Sequence, residues 1–225
     1  SSPQAAVRAL NTRLDKAIGI NEGEINQEDE LVGVLDTQGM SSVFDGVDDN
    51  LSIDDIEPGA ALEEDVERLR SLVARAQALK SSADPKLKSL VNALKSLLEE
   101  GYNPVVFCRY IATAEYLADE LSKQFKDRNV IYVTGDLTSS EREEKISELR
   151  ESDKSPLLIA TDCLSEGINL QDQFSAVVHY DLSWNPTRHE QREGRVDRFG
   201  QKAQQVKALM IYGEDNPVDG TVLNV

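Results

Sequence analysis

No run of 18 consecutive apolar residues occurs in this 225-residue chain, so no segment reads as a membrane-spanning helix. There is also no basic start followed by an apolar stretch and a small-residue cleavage site. Secretion is therefore not expected, and a cytoplasmic location is. Cysteine is down to two residues, Cys108 and Cys163, each in or beside an apolar strand-like segment. That placement fits reduced, buried thiols better than a disulfide. No Cys/His cluster has zinc spacing, and the two histidines, His179 and His189, are expected to pack or hydrogen-bond instead. Aromatic residues are scarce at 5%, and no internal repeat is visible. Basic residues are outnumbered 24 to 41, leaving a formal charge of −17. Duplex DNA repels such a charge, which excludes a simple basic nucleic-acid coat but not a local basic groove.

Forty per cent of the residues are apolar, enough for one α/β domain with an appendage or for two small domains. The acid is unevenly spread. Residues 1–60 carry 13 acids and 3 bases, whereas residues 61–225 carry 28 and 21. Glu22 to Glu30 and Asp45 to Glu57 are acid-rich, dotted with Gly, Ser and Asn, and lack a long apolar period. Residues 1–60 are thus expected to be an acidic extension or insertion, partly disordered, opened by a short amphipathic helix from Ala5 to Ile18. Asp48, Asn50 and Ser52 alternate like calcium ligands, but Ile53 and Gly59 stand where an EF-hand needs Gly and Glu.

From residue 61 the periodicity is regular. Leu62, Val66, Leu69, Leu72, Val73 and Ala76 mark one helix. A second begins at Asp84-Pro85, an N-cap followed by proline at the first helical position, and stops at Gly101. Strands are predicted near 105–108, 130–133, 157–160, 176–181 and 206–212, separated by helical stretches. One of these runs from Ile111 to Phe125, one is opened by a Thr138/Glu141 capping box, and one by Asn185-Pro186. This alternation describes βαβ units: an α/β fold with a mainly parallel sheet and helices on both faces.

Two segments carry more chemistry than a scaffold needs. Ala160-Thr-Asp-Cys-Leu-Ser-Glu-Gly-Ile-Asn-Leu-Gln171 directly follows a buried strand, where open α/β sheets bind ligands. It offers hydroxyls, carboxylates, an amide and a glycine, although a plain polar turn would look similar. In Gln191-Arg-Glu-Gly-Arg-Val-Asp-Arg-Phe-Gly-Gln201, Arg192, Arg195 and Arg198 are three apart and would form a ribbon along one helix face. Such a ribbon suits a polyphosphate; a surface helix salt-bridged by Glu193 and Asp197 is the plainer alternative.

Together these segments resemble the second RecA-like lobe of superfamily 2 helicases, especially Swi/Snf-type and bacterial RapA-like translocases. Val105-Val-Phe-Cys-Arg-Tyr110 is similar to motif IV, and Val133-Thr-Gly-Asp136 to the strand-loop after it. Residues 160–171 resemble motif V, and residues 191–201 resemble motif VI in its Q-x-x-G-R-x-x-R form. Tyr180-Asp-Leu-Ser-Trp-Asn-Pro186 matches the RapA-like pattern, and Trp184 to Gln191 is also similar to helicases of phage-defence islands. The resemblance covers residues 85–212 and makes residues 61–225 a helicase C-terminal RecA-like domain.

The resemblance implies roles for matching positions. Arg195 and Arg198 would be arginine fingers on the γ-phosphate of ATP. Gln191 would organise the cleft, and Gly194 would let the helix pack closely. Glu166, Gly167 and Asn169 would couple the ATP cleft to the nucleic-acid track, with Thr161 and Ser165 touching its backbone. Arg188 and Arg192 receive no role. The expected partners are nucleic acid, DNA rather than RNA, and an N-terminal RecA-like lobe. That lobe would bind most of the ATP and Mg2+, since no G-x-x-x-x-G-K-[ST] loop occurs here and Ala118-Asp-Glu-Leu121 falls inside a helical stretch. The chain would then be half of a motor, inactive alone. A phosphate-binding α/β domain without motor function, and a degenerate lobe used for protein interaction, are the alternatives.

Overall fold

The computed structural model describes residues 2–18, 63–165, 168–183 and 185–213. The acidic stretch expected to be partly disordered lies outside the described residues, as do Glu166, Gly167 and Trp184. The chain forms two compact units, Pro3–Lys80 and, with the first two residues, Ser81 onward. In the first, helix α1 (Pro3–Ile18) packs against α2 (Glu63–Ala78).

The second unit holds the sheet. Its strands are β1 (Pro104–Phe107), β2 (Asn129–Val133), β3 (Pro156–Ala160), β4 (Ala176–His179) and β5 (Lys207–Met210). They lie in the order β2-β3-β1-β4-β5. Every pairing is parallel, with Val105 of β1 opposite Leu158 of β3 and Val177 of β4. The central strands β1 and β4 are buried at every position, as near-continuous apolar runs require when both faces are covered.

The pleat sends alternate side chains to opposite faces, and each face has its own core. On one, Val106, Ile159 and Val178 meet α3 (Pro85–Glu99) through Leu87, Leu90, Val91, Leu94 and Leu97, and α4 (Ile111–Gln124) through Leu117 and Leu121. On the other, Val105, Phe107, Leu158 and Val177 meet Ile146 and Leu149 of α5 (Ser139–Glu151), together with Leu164, Phe174 and Val196. Among the described residues, no helix is long and apolar enough to cross a membrane.

Local chemistry sets the helix ends. Asp84 Oδ1 accepts from the N–H groups of Lys86 and Leu87 at 2.9 and 3.1 Å, with Pro85 at the first helical position. Gly101 follows that helix at φ +85°, a conformation glycine adopts without a Cβ penalty. The Thr138/Glu141 capping box forms at α5. Asn185 caps α6 (Pro186–Glu193) through its side chain.

Candidate functional site at the carboxyl ends of the strands

Because all strands run the same way, the loops after β1, β3 and β4 emerge at one edge of the sheet, where open α/β sheets bind ligands. The loops after β3 and β4 converge on Arg192, in the last turn of α6 and only 2% exposed. Its Nε donates to Asp162 Oδ1 at 2.6 Å and its Nη2 to Asp162 Oδ2 at 3.0 Å, a bidentate pair. Nη1 donates to the main-chain carbonyl of Asp181 at 3.0 Å and stands 3.5 Å from His179 Nδ1. A cation at this depth would cost several kcal/mol unpaired. Here the two loops supply its acceptors, so the guanidinium staples them to α6.

The histidines complete this staple. Arginine can only donate, so His179 Nδ1 is the accepting nitrogen and the proton is assigned to Nε2, which donates to Glu193 Oε1 at 3.0 Å. Burial, the Arg192 cation and His189 push the pKa of His179 down to about 3, so the ring is neutral at pH 7. His189 Nε2 accepts from the N–H of Ser183 at 3.0 Å, and the two rings meet edge to face with centroids 4.8 Å apart. Both histidines are hydrogen-bonded packing residues. Among the described residues, no group of three or more His, Cys, Asp or Glu could hold a metal.

The three-arginine ribbon does not form. α6 ends at Glu193, so Arg195 and Arg198 lie in the turns beyond it. Val196, four residues after Arg192, is fully buried in the second core. Arg192 is buried, Arg195 is half-buried and Arg198 is exposed. The carbonyl of Arg195 accepts from the N–H of Leu170 at 3.2 Å, and Arg198 Nη1 donates to Asn169 Oδ1 at 2.7 Å. The two motif-like segments are thus joined at Arg192–Asp162, Arg195–Leu170 and Arg198–Asn169. Gln201 fixes the turn: its Nε2 donates to the carbonyls of Val196 and Phe174 at 2.9 and 3.0 Å, and its Oε1 accepts from the N–H of Ala203.

Other expected site residues fare differently. Gly194 is in the ordinary right-handed helical region at φ −63°. A Cβ there would meet only carbonyls of its own turn, at 3.2 and 3.7 Å, so its close packing against a second element is not observed. Thr161 is 3% exposed, with its hydroxyl 3.3 Å from Cys163 Sγ, beneath the surface rather than on it. Ser165 ends the short 3₁₀ turn Asp162–Ser165, and Gln191 is half-buried on α6. Glu166 and Gly167 have no described position.

Asp162, Asp181 and Arg192 were not among the expected site residues. The available signal was position: both aspartates stand two residues beyond a buried strand, where a carboxylate must find a donor. Arg142 is a further cross-link, donating to the carbonyls of Gly135 at 3.0 Å and Cys163 at 3.5 Å.

Residues 85–200 match the family model described as the helicase conserved C-terminal domain. Among curated proteins, the ATP-dependent RNA helicase eIF4A of Aspergillus clavatus is 40% identical over 98 residues, which is 44% of this chain and 24% of that protein. The protein of the same name from Candida albicans is 39% identical over 98 residues, with the same shares. The chain therefore spans about a quarter of the length of the curated relatives it matches. Among solved structures, the C-terminal part of the Fun30 ATPase domain aligns with a TM-score of 0.57 at 15% identity, over 99% of this chain and 86% of that one. That similarity is one of fold.

Proposed function

The chain belongs to the helicase conserved C-terminal domain family, and from that premise we propose that it is the C-terminal motor lobe of an ATP-dependent nucleic-acid helicase or translocase. The observation that carries the reading is the docking of the Arg195–Arg198 turn onto the loop after β3, through Arg195–Leu170 and Arg198–Asn169. Stabilising charge on a transferring phosphoryl group requires donors fixed in advance, because reorganisation during the reaction would cost what the contact gains. In this reading Arg195 and Arg198 are arginine fingers, with Gln191 and Gly194 shaping their turn. Asn169, with Glu166 and Gly167, joins the ATP cleft to the nucleic-acid track. Ser165 is the candidate contact to the track's backbone, since Thr161 is buried.

ATP, when bound, supplies the γ-phosphoryl group whose transfer to water drives the motor. The half-buried Arg195 and the exposed Arg198 supply planar donors of the kind that suit its phosphates. Mg2+ held with ATP takes one or two carboxylates besides phosphate oxygens, and with no G-x-x-x-x-G-K-[ST] loop in this sequence the ion is assigned to an N-terminal lobe together with that loop. The Gln191–Gln201 pattern and Tyr180–Pro186 support a Swi/Snf- or RapA-like subtype and hence a DNA track. A second reading, RNA, is favoured by relatives whose name is RNA helicase.

The test is turnover. The full-length protein should hydrolyse ATP faster with duplex DNA or with RNA, whichever is its track, and the chain alone should match a buffer blank with either. Turnover that follows the isolated chain through purification, or a full-length protein indifferent to both nucleic acids, would overturn the reading.

A further inference from the structure

We infer that the second half of α2 is a docking surface for the chain's own acidic segment Asp45–Glu57, held by two arginines and two leucines on one helix face. The inference is independent of the motor-lobe reading. From Arg68 to Lys80 the sequence carries four bases and no acid. Residues three and four apart on a helix are neighbours, so Arg68, Leu72, Arg75 and Leu79 form one continuous stripe. Leu79 directly follows the helix, and its N–H continues the turn onto the carbonyl of Ala76 at 3.2 Å. All four stripe residues are exposed, Leu72 at 38% and Leu79 at 51%. Val66, Leu69, Val73 and Ala76 are half-buried on the adjoining face, so the stripe stays outside the helix packing. Large apolar side chains set between cations on a helix face call for a partner that is both acidic and apolar.

Asp45–Glu57 has that composition. It carries six acids and no base, with Leu51, Ile53 and Ile56 set among them. Its tether is also the right length. Residues 58–62 separate Glu57 from Glu63, the first residue of α2. Extended, that connection spans roughly 20 Å at about 3.3–3.6 Å per residue. Glu63 to Arg75 is roughly 18 Å along a helix rising about 1.5 Å per residue, so the whole stripe up to Arg75 is within reach. Exposed ion pairs are individually weak and would hardly hold a separate peptide. A segment tethered this closely is present at an effective concentration on the order of mM, so a few weak pairs and apolar contacts suffice. Glu22–Glu30 is acid-rich too, but it has one apolar residue, Ile25, and 32 residues separate it from α2.

Paramagnetic broadening in nuclear magnetic resonance spectra of the chain tests this. A spin label is placed at Ser71→Cys, an exposed position beside the stripe, with Cys163→Ser leaving only the buried Cys108 as a native thiol. At low salt the amide signals of residues 45–57 should broaden, those of residues 22–30 much less, and the broadening should fade as salt rises. Arg68→Glu/Arg75→Glu should lower the docked-to-undocked ratio about tenfold or more. Asp54→Lys/Asp55→Lys should do the same, and all four substitutions together should restore most of the broadening, which loss of fold could not do. No low-salt broadening of residues 45–57, or broadening that charge reversal leaves unchanged, would overturn the proposal. Broadening passed between spin-labelled and isotope-labelled molecules in a mixture would assign the stripe to a second copy. An unbroadened segment, with random duplex DNA bound through Arg68 and Arg75, would assign it to nucleic acid. Either result overturns the proposal.

Discussion

Replacing either partner of the Arg192–Asp162 pair should cost more than replacing both. The guanidinium side chain is 3% exposed and the carboxylate 16%. Asp162→Leu strands the deeper ion and belongs at the upper end of the about 3–5 kcal/mol typical of a broken buried pair. Arg192→Met leaves a carboxylate that water can partly reach and belongs at the lower end. The double variant Asp162→Leu/Arg192→Met removes both charges. It leaves mainly the acceptors of Asp181 and His179 without Arg192, a penalty of about 1–3 kcal/mol. Urea unfolding of the isolated chain, followed by far-UV circular dichroism, gives the midpoint and slope for all four proteins. A double variant whose loss equals the sum of the singles within about 0.5 kcal/mol would refute the account of one coupled staple.

Two further outcomes follow from the same edge. Since burial holds His179 neutral with its pKa pushed down to about 3, the unfolded chain binds a proton below about pH 6.5 that the folded one does not. Its stabilising contribution is full above pH 6.5 and is lost as pH falls toward 3, by up to about 1.4 kcal/mol per pH unit. His179→Gln should flatten the slope between pH 6.5 and 5, a window above most carboxylate titration, and an unchanged slope would contradict the burial account. The isolated chain, with its formal charge of −17, should bind random duplex no more tightly than about 10⁻⁴–10⁻⁶ M, weaker as salt rises. Titration of labelled duplex at two salt concentrations checks this, and tight, salt-insensitive binding to one sequence would point to a recognition module instead.

The secondary structure was legible because its signals are local. Asp84-Pro85, Thr138 with Glu141, and Asn185-Pro186 each mark a helix start within a few residues, and the short apolar runs between helices form the strands, of which the inner β1 and β4 are buried at every position. The parallel sheet followed from alternation. The strand order did not, because β1 lies between β3 and β4 through pairings such as Val105 with Leu158 and with Val177, too distant in sequence for any local pattern to encode. The arginine turn was misjudged for a related reason. Spacing of three predicts one helix face, but the helix ends at Glu193, with Gly194 as its cap, before Arg195 and Arg198 are reached. The result is one buried arginine, one half-buried and one exposed, where the pattern suggested three equivalents. Asp181 is hard to find from sequence because Lys86, Arg109 and Arg192, which donate to it, come from separate segments of the chain.

The central claim is that the turn after α6 delivers a charge-stabilising arginine to a transferring phosphoryl group. Arg195→Ala in the full-length protein, assayed for ATP turnover and for ATP binding side by side, tests it most directly. Turnover should fall by roughly 10³-fold or more, with a much smaller loss of binding, because the contact matters most once charge develops in the transition state. Arg195→Lys should recover little, since lysine lacks the planar fork. Equal losses in turnover and binding, or turnover close to wild type, would contradict the account.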